Sequence, residues 1–193
     1  MTDSLQDVRA RNLRTVALLA ALFLIPLVAA FCMYYGAGWR PAQRTNHGKL
    51  ILPARALPRA SAAYASGTFT HEWSLVYVGA ATCDDSCRNA LYVMRQTHLG
   101  LNSDMERVQR VFVAIGTLPA QESFTQEHPG LMVIDATGRD GEKLVQQFPE
   151  SDRTQAIFIV DPLGNLMMQF DTRTNPKGLR DDLTKLLKLS NIG

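Results

Sequence analysis

The chain has 193 residues, of which 46% are hydrophobic and 20% charged, with a net charge of +2. That length suggests one domain with additions, and the composition is that of a globular protein. The mild charge, with Lys and Arg scattered rather than massed, excludes a nucleic-acid-binding surface.

The apolar residues are concentrated near the N-terminus. No charged residue falls between Thr15 and Trp39. The apolar centre of that run, Val16 to Tyr35, is about 20 residues, which as a helix spans roughly 30 Å of hydrocarbon. Pro26 lies within it, as membrane helices tolerate. Tyr34, Tyr35 and Trp39 mark one interface; Arg9, Arg11 and Arg14 mark the other. A cleaved signal peptide is the alternative, but its apolar stretch is shorter and ends at small residues, unlike Phe31 to Tyr35. The expected layout is a cytoplasmic tail (1–14), a transmembrane helix (15–36), a linker (37–70) and a soluble domain (71–190). Basic residues flank both ends of the span, so they do not set its orientation. A short tail stays inside and a long following domain crosses, which favours a periplasmic domain.

Gly36 to Thr70 is rich in Ala, Pro, Gly, Arg and Ser and reads as a linker, with one extended patch at Leu50-Ile51-Leu52. Trp73 to Gly79 reads as a strand. Cys83-Asp-Asp-Ser-Cys87 follows, then a helix over Arg88 to Leu99, with Leu91 and Met94 on its inner face and Asp84 or Ser86 as its cap. Val108 to Ile115 is a second strand, giving a parallel β-α-β unit. Leu131 to Ile134 is a short strand and Gly141 to Phe148 a short helix. Ala156 to Val160 reads as a central strand by its unbroken apolar run. Asp161-Pro-Leu-Gly-Asn165 turns the chain into an antiparallel strand, Leu166 to Phe170. Asn175 and Pro176 open a last helix striped with Leu179, Leu183, Leu186 and Leu187. The fold class is α/β, a thioredoxin-like domain with a central mixed sheet flanked by helices, behind one transmembrane helix.

Of the three cysteines, Cys32 sits in the apolar run and reads as a filler. Cys83 and Cys87 lie where a strand hands over to a helix, the end of a parallel sheet where ligands and reactive groups gather. Their spacing puts both sulfurs on one helical face, able to close a disulfide or to hold a soft ion such as Cu(I). A helix N-terminus favours a thiolate there; Asp84 and Asp85 oppose it. A structural disulfide is the plain alternative.

The segment Ser74 to Gly79, the pair Cys83 and Cys87, the helix with Met94, and Ile157 to Asn165 together resemble the SCO1/SenC family. The likeness covers roughly residues 45–189 and is nearest to short SCO-like membrane proteins associated with bacterial cytochrome c oxidase assembly. It implies a thioredoxin-like fold and work on the oxidase's copper centre, with a CxxxC pair and a later histidine as copper ligands. The two cysteines carry over as redox residues and possible Cu(I) ligands; the histidine does not. Its place falls at or next to Arg153, within Ser151 to Gln155. The prolines that follow the family's cysteines are replaced by Asp84 and Arg88. Of the four histidines, His47 lies in the linker, His71 and His128 precede strands, and His98 is three turns past Cys87, about 16 Å by rise. Each reads as a surface or capping residue. Losing the nitrogen donor disfavours Cu(II) and leaves two-thiolate Cu(I) binding. Arg153, if it reaches the cysteines, stabilises a thiolate; the other arrangement points it to solvent.

The resemblance therefore implies a membrane-anchored assembly factor in the bacterial inner membrane. Cys83 would be the attacking thiol and Cys87 the resolving one. Partners would be a respiratory oxidase subunit or its copper chaperones. The alternatives are a general membrane-tethered thiol–disulfide oxidoreductase and a degenerate thioredoxin-like interaction module with structural cysteines.

Overall fold

A computed structural model describes residues 3–36, 46–58, 68–117, 124, 126–190 and 192. The chain divides into two units, Met1–Thr45 and Asn46–Gly193.

The first unit is one helix, α1 (Asp3–Tyr35), with Pro26 inside it. Its stretch Asn12–Tyr35, 24 residues with a mean hydropathy of 2.7 over an 18-residue window, is long and apolar enough to cross a membrane. Its large apolar side chains are outward on all sides; Phe23 is 74% exposed. Water would penalise such a surface heavily, and lipid would not.

The second unit is built on a six-stranded sheet in the order β1-β6-β5-β2-β3-β4. These strands are β1 (Lys49–Ala56), β2 (Trp73–Ala80), β3 (Val108–Ile115), β4 (Leu131–Asp135), β5 (Ala156–Val160) and β6 (Asn165–Asp171). β2, β3 and β4 are parallel, with Tyr77 beside Phe112 and Phe112 beside Val133. β5 lies antiparallel to β2, Tyr77 facing Ile157, and β6 antiparallel to β5. The sheet is therefore mixed, as expected. The helices are α2 (Asp85–Leu99), α3 (Gly138–Val145) and α4 (Pro176–Leu189).

Alternation along the strands feeds two cores. Leu75, Tyr77, Phe112, Ile157, Ile159 and Phe170 pack with Leu91 and Met94 of α2 and Leu179, Leu183 and Leu187 of α4. Val76, Val78, Val111, Val113, Phe158 and Val160 point the other way, onto Leu144 of α3 and Phe148. β5 is buried on both faces, which explains its unbroken apolar run. α4 starts as its sequence dictates: the Asn175 side chain accepts from the Lys177 amide and Pro176 occupies the first turn. The Asp161 carboxylate accepts from the Leu163 and Asn165 amides, and Gly164 takes φ +85° to complete the β5–β6 turn. Gly141 in α3 lies flush on Ala136, where an added Cβ would meet backbone atoms at 2.2 Å.

One expectation is corrected. Lys49–Ala56, read as linker with a three-residue patch, is a full edge strand paired to β6: Lys49 faces Gln169 and Ala56 faces Asn165. The register shifts between Leu50 and Arg55, around Pro53, which has no amide to donate. Only edge strands carry a proline comfortably, and this strand's exposed outer residues conceal any alternation. Leu57 and Phe69, also in the supposed linker, are buried in the second core. The folded unit thus begins at Asn46, not His71. The remaining linker reading, 37–45 and 59–67, falls outside the described residues.

The start of β1 is fastened to α4. The buried carboxylate of Asp182 accepts from the His47 and Gly48 amides, each at 2.8 Å, and contacts His47 Nδ1 at 3.1 Å. His47, assigned to the linker, is therefore part of the fold.

Candidate functional site

β2 and β3 end, and β5 begins, on the same side of the sheet, because β5 is antiparallel to both. There the Ala81 amide bonds to Ile115 and the Cys83 amide to Ala80, turning the chain out of β2. Cys83 adopts φ +46°, a left-handed conformation that costs a non-glycine residue on the order of 1 kcal/mol. Asp84 then caps α2, its Oδ1 accepting from the Cys87 amide at 2.9 Å. Of the two cap candidates, Asp84 is the one used.

Cys83 and Cys87 form a disulfide, with Cα atoms 5.0 Å apart. Only Cys87 is helical; Cys83 precedes the cap, so the left-handed turn, not a shared helical face, brings the sulfurs together. The pair is also more enclosed than an open helix start suggests. Cys83 is 7% exposed and Cys87 1%, and both belong to the core cluster that holds Tyr77 and Met94. The polar residues between them, Asp84 and Asp85, are exposed.

Arg88 Nη1 donates to the Cys83 carbonyl at 3.0 Å, and its Nη2 pairs with Asp85. A cation thus stands beside the first cysteine, and it is not the one expected. Arg153 sits in the 3-10 turn Arg153–Gln155 just before β5, where its Nε donates to the Pro149 carbonyl at 3.4 Å and its Nη2 lies 3.8 Å from Glu150. Its polar contacts run back along its own segment rather than to the cysteines.

That turn nevertheless abuts the site through other residues. Gln155 Nε2 donates to Ser86 Oγ at 2.7 Å, between the two cysteines in sequence. Tyr77 Oη donates to the Thr154 carbonyl at 3.2 Å, and its ring stacks on Phe112. Burial, with Asp84 nearby, pushes the Tyr77 phenol up to about 12, so the hydroxyl stays a donor at any physiological pH.

Among the described residues, the histidines make their contacts away from the disulfide. His98 Nε2 bonds the Val108 carbonyl at 2.7 Å and His128 packs on Phe124. Burial holds both below the usual histidine range. His71 is exposed beside Pro162, at the opposite end of the sheet. Among the described residues, no three His, Cys, Asp or Glu side chains form a metal-holding group.

Tyr77 and Gln155 were not singled out from the sequence, and Ser86 and Arg88 were named there only as a cap candidate and as a replacement for a proline. Arg88 had a signal, standing where the family's second proline is expected. Gln155 had only its proximity to Arg153.

The family model "Transmembrane-like, thioredoxin-like, C-terminal domain" matches residues 73–190. The chain belongs to this transmembrane-like, thioredoxin-like family. No curated protein matches it. Among solved structures its neighbours are Sco1/SenC proteins, whose fold it shares. Apo Sco1 from Thermus thermophilus superposes with a TM-score of 0.57 at 18% identity, over 78% of this chain and 100% of that one. Yeast Sco1 with copper bound gives 0.56 at 16% identity, over 77% and 96%. Arabidopsis thaliana ScoI with copper bound gives 0.52 at 16%, over 63% and 88%. Within this thioredoxin-like fold, the disulfide occupies the junction of the first parallel strand and its helix.

Proposed function

We propose that this protein is a membrane-anchored, Sco-type assembly factor for cytochrome c oxidase that works by thiol–disulfide exchange at Cys83 and Cys87. The observation that carries the reading is the disulfide itself, closed across the cap of α2 at the sheet end. α1 supplies the anchor, with residues 1–14 cytoplasmic and the domain in the periplasm, where disulfides persist.

The two sulfurs take different roles in this reading. Cys83 is the more exposed, so an incoming partner thiolate attacks its Sγ. The Cys83–Cys87 bond breaks, a mixed disulfide forms, and Cys87 leaves as a thiolate in the first turn of α2, where the helix N-terminus stabilises it. A second partner thiol then attacks the mixed disulfide, leaving the partner oxidised and Cys83 and Cys87 reduced. In reverse, the reduced pair reduces an oxidase-subunit disulfide.

Copper enters as cargo. The copper-bound Sco1 structures and the two-sulfur donor set support Cu(I) carried by the reduced pair. Oxidised, the sulfurs offer no thiolate, so reduction must precede loading. Arg153, at or next to the place the resemblance gives the SCO1/SenC histidine, brings no lone pair.

The test is threefold. The wild-type disulfide should have a potential above about −300 mV; a much lower one marks a structural bond. The phosphine-reduced chain should bind one Cu(I), and Cys83→Ser or Cys87→Ser should abolish binding. Cells carrying both substitutions should lose oxidase maturation; unchanged maturation would sink the assembly role.

A further inference from the structure

Most of the hydrogen bonds on the segment from Cys83 to Cys87 come from the same short stretch of chain: Cys83 N to Ala80 O, Cys87 N to the Asp84 carboxylate, Arg88 N to Asp84 O, Arg88 Nη1 to Cys83 O and Arg88 Nη2 to Asp85. One does not. Gln155 Nε2 reaches Ser86 Oγ at 2.7 Å across 69 residues of sequence.

Gln155 is well placed for this. Its carbonyl accepts from both the Thr172 amide, at 2.8 Å, and the Thr172 hydroxyl, at 3.0 Å, and its amide donates to Asp152. The next residue, Ala156, is fully buried at the start of β5. The backbone that presents the amide side chain is therefore fixed. Tyr77 adds a second link between the same turn and β2, at Thr154. Ser86 stands one residue before Cys87, inside the ring that the disulfide closes. Holding Ser86 therefore restricts where the Cys87 sulfur can go relative to Cys83.

We infer that Gln155 is a positioning residue for the redox pair. Through Ser86 it confines the loop so that the two thiols, when reduced, stay within bonding reach. Confinement raises the effective concentration of one thiol at the other and so favours the disulfide. The inference rests on the exchange reading above and adds the element that sets its equilibrium.

The test is a double-mutant cycle on the full chain in detergent micelles, equilibrated with reduced and oxidised glutathione. The reaction is disulfide plus two glutathione thiols giving dithiol plus glutathione disulfide. Gln155→Ala and Ser86→Ala should each weaken the disulfide about threefold, as expected for one partly exposed hydrogen bond. At 29.6 mV per tenfold, that is about 14 mV less reducing. The double variant should match either single, since both remove one bond. Ser86→Thr, which keeps the hydroxyl, should behave as wild type. Unchanged equilibria in the single variants, or effects that multiply in the double, would overturn the inference. If the wild-type disulfide does not react with glutathione at all, the exchange reading fails. The tether is then decided by the difference in unfolding free energy between oxidised and phosphine-reduced forms of the same four proteins. Coupling of Gln155 and Ser86 in that difference supports it, and additivity refutes it.

Discussion

Cys83 and Cys87 could be recognised from their spacing and place; the residues that shape their surroundings could not. Arg153 was the candidate for a nearby cation, because the resemblance puts the SCO1/SenC histidine at or next to it. The 3-10 turn that carries it directs the guanidinium to Pro149 and Glu150 instead. Arg88, one residue beyond the pair, makes the contact with Cys83. Side-chain direction within a single turn decides between them, and nothing in the residue order reports that direction. Tyr77 was hidden for a different reason, since an aromatic residue in a strand reads as core. It is core, but its hydroxyl emerges at the site end. Because its folded-state pKa is raised from 10.0 to about 12, the neutral phenol is favoured by folding. The associated stability is complete below pH 10 and is lost as pH rises through about 12. Ultraviolet titration should show a tyrosine step at about pH 12, and Tyr77→Phe should remove it.

At the scale of elements, the helices with chemical end signals were legible. α4 announced itself through Asn175, Pro176 and its leucine stripe, and α2 through its cap and inner face. β5 was legible from five consecutive apolar residues. β1 was not, because a strand on the sheet margin needs neither alternation nor an unbroken amide series, and Pro53 signals its opposite. The bond set at Asp182 shows how firmly β1 is nevertheless attached. Asp182 is 4% exposed and satisfies two backbone amides. Asp182→Ala would leave both without their acceptor and should cost about 2–4 kcal/mol, read by urea unfolding of the chain in detergent. Asp182→Asn keeps an acceptor oxygen and should cost less. A loss below 1 kcal/mol for the alanine variant would mean that β1 is held by its pairing to β6 alone.

For the whole molecule, the sequence disclosed two units with opposite solvent preferences: a helix apolar on all sides, and a folded domain apolar only within. What it concealed was the border between them, since the domain's first strand is written in the composition of a tether. The fold also leaves a record in one unassuming position. Gly141 has no turn to make and no unusual torsion to adopt; it is a point where two stretches of backbone touch. Any lineage descended from this architecture can trade its cysteines while that corner still forbids a methyl group. A distant relative that has shed the redox pair should therefore still be recognisable by a glycine there, and one that has acquired a side chain must have moved the helix.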